Sequence, residues 1–171
     1  VRLMVMTNST YDGLCYNIDA IKASIGDSVE VLHFDEAWYA YANFHEFYDG
    51  FHGISSSQPT RAENAITFAT QSTHKLLAAL SQASMIHVQH AENKQLDMTR
   101  FNEAFMMHTS TSPQYGIIAS CDVAAAMMEP PGGTALVEES ILEALDFRRA
   151  MRKVDAEWGK DWWFKVWGPD D

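Results

Sequence analysis

The stretch "AITFATQSTHKLLAALSQASMIHV", residues 65–88, decides how the chain folds. "AITFAT" reads as a buried strand, "HKLLAALSQ" as a short helix and "SMIHV" as a second strand, with small hydroxyl residues at the first junction. Upstream the same alternation recurs. "VRLMVM" (1–6) is an apolar run stopped by the turn formers of "TNSTYDG". "LCYNIDAIKASIG" (14–26) has helical spacing and ends on Gly26, and "VEVLHF" (29–34) is a strand running directly into Asp35. Residues 46–61, with "DGFHGISSSQPTR", show no periodicity and read as a long loop, of the kind that is more often functional than idle.

Downstream, "LDMTRFNEAFMMH" (96–108) and "IIASCDVAAAMM" (117–128) are helical in pattern and are separated by the polar turn "TSTSPQYG". "PPGG" at 130–133 is a break. Residues 134–158 have the strongest helical periodicity of the chain, with Thr134 and Glu138 near the start as capping chemistry wants. The terminal "DWWFKVWGPDD" alternates as a strand does. Apolar strands alternating with helices predict an α/β fold with a mostly parallel sheet flanked by helices. Ligands of such sheets sit at the carboxyl ends of the strands. "TNSTYDG", "DEAW" and "TQSTHK" occupy those ends.

The 171 residues fit one domain or a large part of one and suffice for a real core, and 47% hydrophobic with 20% charged residues is the balance of a globular protein. A net charge of -11 argues against a nucleic-acid or anionic-membrane surface. No segment approaches a membrane span and no secretory leader is evident, so a cytoplasmic location is expected. Cys15 and Cys121 lie far apart and read as two reduced thiols, and the histidines have no metal spacing, so no metal site is expected. The methionine pairs Met106, Met107, Met127 and Met128 read as core or subunit-interface packing. Trp158, Trp162, Trp163 and Trp167 form an aromatic group, and Arg148, Arg149, Arg152 and Lys153 a solvated helix face. The chain opens at Val1 inside a strand pattern, as an excised piece of a longer protein would.

Two residues stand out chemically. Asp35, at a strand end, either caps the next turn or holds a ligand cation or metal. Lys75, after Ser72, Thr73 and His74, is either a solvated residue in a first helical turn or a reactive amine. A cation there opposes the helix dipole, and the free N–H groups and hydroxyls beside it suit a phosphate. An amine, a carboxylate and a phosphate cradle at neighbouring strand ends are the parts that hold pyridoxal phosphate.

"TNSTYDGLCYN", "HFDEAWYAYANF", "ATQSTHKLLAALSQASMIHV" and "RFNEAFMMHTSTSPQYGIIAS" closely resemble the bacterial inducible lysine, arginine and ornithine decarboxylases, pyridoxal-phosphate enzymes of the aspartate-aminotransferase fold (fold type I). The resemblance runs along nearly the whole chain to "WWFKVW", and "FDEAW" and "STHK" stand about 40 residues apart. It implies that Lys75 is the Schiff-base lysine and that Ser72 and His74 contact phosphate and cofactor. It implies further that Asp35 is the partner of the pyridine nitrogen and that Ala37 and Trp38 lie against the cofactor and the substrate entrance. The "HTSTSP" turn resembles one that reaches the cofactor phosphate of a neighbouring subunit in a homo-oligomer. Ser110 is then the first contact, with Thr109 and Thr111 as alternatives. Family members are several times longer, so the chain is expected to be the C-terminal part of the large, cofactor-binding domain, with the main phosphate loop and the ring-stacking residue lying elsewhere. The implied reaction is decarboxylation of L-lysine to cadaverine, which consumes a proton and fits a role in acid resistance. Arginine or ornithine decarboxylation, or a non-catalytic assembly piece of such an enzyme, are the alternatives.

Overall fold

The computed structural model describes residues 1–55 and 60–168. Residues 56–59 of the expected loop and 169–171 of the expected terminal strand lie outside the described residues. The order of elements is β1 (Leu3–Thr7), α1 (Ile18–Ile25), β2 (Val31–Asp35), 3-10 turns at Ala40–Phe44 and Glu46–Tyr48, β3 (Ile66–Gln71), α2 (Thr73–Leu76), β4 (Met85–Gln89), α3 (Met98–His108), α4 (Tyr115–Met128) and α5 (Gly132–Trp158). The strands form one sheet in the order β1-β2-β3-β4. β1 with β2 and β2 with β3 pair parallel, and β3 with β4 antiparallel. Helices flank the sheet, as the α/β pattern predicts. β4 reverses: the chain between β3 and β4 holds only the single turn Thr73–Leu76 and folds back on itself instead of crossing the sheet in a full helix.

Side chains alternate between the two faces of each strand. The register therefore puts Met4, Leu32 and Thr67 on one face, followed by Met6, Phe34 and Ala69. α1 closes that face: Ile18, Leu32 and Phe34 are fully buried, with Val29, Ala62 and Ala65 beside them and Met4, Met6, Ile21 and Ile25 packed against the cluster. Asn17 starts α1 by accepting a hydrogen bond from the Ala20 N–H at 2.9 Å. Gly26 ends α1 with an ordinary right-handed backbone, and a side chain there would meet the Ala62 Cβ at 2.9 Å. The opposite face carries Leu3, Val5, His33 and Phe68. α3 lies against it through Phe101, whose ring centroid is 5.8 Å from that of Phe68.

Three expectations are corrected. The helix expected over "HKLLAALSQ" is the single turn Thr73–Leu76. Its later N–H groups find tertiary partners: Leu80 N donates to the Ser120 hydroxyl at 3.0 Å, and the His74 ring donates to the Ala83 carbonyl at 2.8 Å, folding the segment back. Thr134 and Glu138 do not cap α5, which begins earlier, at Gly132, with no side-chain cap; Glu138 instead meets His45 Nε2 at 2.5 Å. Residues 162–168 form no strand, since no neighbouring strand edge receives them. They are held by Arg148 donating to the Trp167 carbonyl at 3.1 Å and by a Lys165–Asp155 pair at 3.3 Å.

α5 is 27 residues long, about 40 Å at helical rise, yet buries only Gly133 and Val137. Leu136, Leu142, Leu145 and Phe147 along it are exposed, as are Met106, Met107 and Met127 on α3 and α4, while Met128 is buried. Trp158, Trp163 and Trp167 are exposed, and the closest ring pair of the aromatic group is Trp163 with Phe164 at 4.7 Å. Among the described residues no helix is long and apolar enough to cross a membrane.

Candidate functional site at the strand ends

The three parallel strands end level. Thr7 lies opposite Asp35, and Asp35 opposite Thr70. The main chain ties them onward, Asn8 N donating to the Asp35 carbonyl at 3.0 Å and Glu36 N to the Thr70 carbonyl at 2.9 Å. By strand parity Asp35 shares the α3 side of the sheet with His33 and Thr70, which bond to each other at 3.0 Å. One Asp35 oxygen, Oδ1, accepts from Ala37 N at 3.0 Å, so the carboxylate caps its own turn while Oδ2 has no partner among the described residues. Asp35 is exposed at the surface.

The turn that Asp35 caps presents Trp38, and the Lys75 ammonium lies over that indole, 4.9 Å from the ring centroid. Such a cation–aromatic contact contributes about 0.5–2 kcal/mol and fixes where the amine sits. Tyr11, from the loop after β1, has its ring 5.5 Å from that of Trp38, tilted by 54°. Among the described residues no carboxylate is within ion-pair distance of Lys75. Ser72 precedes α2 without making a side-chain cap, so its hydroxyl is free among the described residues. With only one helical turn behind Lys75, the dipole reasoning that set a lysine against a helix start loses its basis. His74 donates from Nδ1 to the Ala83 carbonyl, and Nε2 has no partner among the described residues. Asp35, Ala37, Trp38, Ser72, His74 and Lys75 therefore gather at one end of the sheet. Ser110 and Thr111 do not join them: both are exposed in the turn between α3 and α4, and the Ser110 hydroxyl is engaged with Ser112 N at 3.1 Å.

Sequence reasoning missed Glu36. It is 1% exposed and accepts from Asn8 Nδ2 at 2.7 Å, from Gln71 Nε2 at 2.9 Å and, in a very short contact, from Gly53 N. Those donors come from the ends of β1 and β3 and from the loop after β2. The detectable signal was the pair of adjacent carboxylates at a strand end, which alternation sends to opposite faces. Asn8 Nδ2 also donates to the Phe51 carbonyl at 2.8 Å, drawing the loop onto the sheet. A side chain at Gly53 would meet Phe34 at 3.0 Å and Glu36 at 3.1 Å, so any larger residue would press the loop against both. Gly50, at φ +80°, turns the loop back so that its carbonyl accepts from Ile18 N at 2.9 Å.

Lys22 is also buried, its ammonium donating to the Thr60 carbonyl at 2.7 Å and Gln89 Oε1 at 3.1 Å. Burial lowers its pKa to about 8, against the opposing pull of Asp19 and Glu36. Burial raises the phenols of Tyr39, Tyr41 and Tyr48, which meet edge to face at 5.5–5.7 Å under the turn that carries Trp38. Cys15 and Cys121 are free thiols. Among the described residues no three His, Cys, Asp or Glu side chains are grouped to hold a metal.

The family model described as Orn/Lys/Arg decarboxylase, major domain, matches residues 1–171. The chain is 64% identical over 171 residues to lysine decarboxylase LdcA of Pseudomonas aeruginosa, covering 99% of this chain and 22% of that one. It is 50% identical to the inducible lysine decarboxylase of Escherichia coli, covering 97% and 22% of the two chains. A biodegradative arginine decarboxylase of Escherichia coli is less similar, at 46% identity over 97% of this chain and 22% of the relative. Among solved structures, lysine decarboxylase A from Pseudomonas aeruginosa superposes with a TM-score of 0.86 at 61% identity, covering all of this chain and 24% of that one. The chain thus spans about a fifth of the length of the curated relatives it matches.

Proposed function

From the premise that the chain belongs to the Orn/Lys/Arg decarboxylase major-domain family, we propose that it is the C-terminal part of the large domain of a pyridoxal-phosphate-dependent decarboxylase whose substrate is L-lysine. The observation that carries this reading is the half-buried Lys75 amine over Trp38, free of any carboxylate among the described residues and one strand away from the uncommitted oxygen of Asp35. The donor set fits the cofactor: a primary amine for its aldehyde, a carboxylate for its ring nitrogen and the Ser72 hydroxyl for its phosphate. When bound, pyridoxal phosphate supplies the electron sink that makes loss of CO2 feasible.

The residues of the chain do the rest. Lys75 would hold the cofactor through its amine. Asp35 keeps a proton on the ring nitrogen, and its bond from Ala37 N fixes the carboxylate plane for that task. Trp38 covers the amine and excludes water on the side where the substrate enters. Lys75 or His74 would supply the proton that replaces the lost CO2, so that each turnover consumes one proton. Ser110, with Thr109 or Thr111 beside it, serves the phosphate of a neighbouring subunit in the homo-oligomer. This accounts for its exposure here. Lysine is favoured over arginine by the order of similarity among the relatives.

Borohydride reduction of the full-length enzyme followed by peptide mapping tests the reading. The label is expected on Lys75; a label on another lysine refutes it. Assay against lysine, arginine and ornithine assigns the substrate.

A further inference from the structure

Asp35 and Glu36 are consecutive carboxylates at one strand end that face opposite sides of the sheet, and the two live in opposite environments. Asp35 is exposed with one intramolecular hydrogen bond, whereas Glu36 is 1% exposed with three N–H donors. A buried carboxylate is costly unless its oxygens are saturated. Here Oε1 takes Asn8 Nδ2 and Gly53 N, and Oε2 takes Gln71 Nε2. The Gln71 amide oxygen in turn lies 3.1 Å from His87 Nε2.

We propose that Glu36 is a positioning residue that clamps the carboxyl ends of β1, β2 and β3 from beneath and thereby sets the spacing between Asp35 and Lys75. Asp35 is bonded to Glu36 through the peptide itself. Lys75 lies four residues beyond Gln71, across the single turn of α2. A shift at Glu36 therefore moves the carboxylate and the amine relative to each other without touching either. The inference rests on the reading of Lys75 and Asp35 given under the proposed function.

The test is Glu36→Gln in the full-length enzyme. The variant keeps the shape but replaces one oxygen by an NH2 that faces an N–H donor, and Gln71 can receive it only by turning its amide, which requires His87 Nε2 to accept where it now donates. The expected result is a folded protein whose Lys75 is still labelled by borohydride. Its dissociation constant for pyridoxal phosphate, measured by titrating the apoenzyme, rises about tenfold, the low end of what losing an outer-shell partner costs at metal sites. At saturating cofactor kcat falls while KM for the amino acid stays within about twofold. Gln71→Met, which removes one donor from a half-buried site, is expected to shift the cofactor affinity in the same direction and decides the matter if Glu36→Gln does not fold. Labelling at Lys75 together with unchanged cofactor affinity and kcat in the folded variants overturns the clamp alone. Absence of the label from Lys75 in the unsubstituted enzyme overturns the functional reading, and the clamp with it.

Discussion

Asp35 and Lys75 each make one local contact, a turn cap and a cation–aromatic contact, and this makes them clean targets. Asp35 is exposed and bonds only its own turn, so Asp35→Ala should leave the thermal midpoint nearly unchanged. A hydrogen bond to a charged group is worth up to about 3 kcal/mol, which corresponds to a turnover lower by about a hundredfold. Near-normal turnover would remove Asp35 from the mechanism. The place of these two residues at strand ends was legible from the apolar runs before them. Glu36 was not legible. Its donors Gly53, Asn8 and Gln71 lie 17, 28 and 35 residues away along the chain, and nothing local announces that a glutamate after a strand will be buried.

At the scale of elements, the loop after β2 is held by Glu36, by Asn8 and, further along, by Lys22 at Thr60. Gly53→Ala should therefore cost about 1–3 kcal/mol by overpacking against Phe34 and Glu36, read as a lowered denaturation midpoint. Lys22 gives a pH signature. Its folded value, about 8, lies below the unfolded value of 10.5, so the buried charge costs stability below pH 8 and that cost is relieved as pH rises toward 10.5. Relative to Lys22→Met, the unsubstituted protein should gain up to about 3 kcal/mol across that window; a constant difference between the two would show that the ammonium is solvated. The strands, α1, α3 and α4 were legible from periodicity to within a few residues. α2 and the tail were not, because a nine-residue helical pattern lost its N–H groups to Ser120 and to a turn, and an alternating tail has no sheet edge to join.

For the whole molecule, the largest fact is the apolar surface left uncovered on α3, α4 and α5, with Leu145, Phe147 and Met107 among its exposed members. Surface of this kind marks an interface. The isolated 171-residue chain should bind a hydrophobic dye and elute from a sizing column ahead of a 19.2 kDa globular standard, whereas the full-length enzyme should bind little dye. Equal dye binding by the two would mean the faces stay bare in the parent. The sheet itself carries a separate consequence. Its two outer strands are unlike: β1 ends the parallel side, and β4 ends the antiparallel side. Joining β1 of one copy to β4 of the next consumes one edge and regenerates the other, so such growth stops only where the rotation per copy closes a ring. An isolated chain that associates in this way would lengthen into filaments with rising concentration rather than stop at a dimer. A single charge at Val5, on the exposed face of β1, would act as a chain terminator.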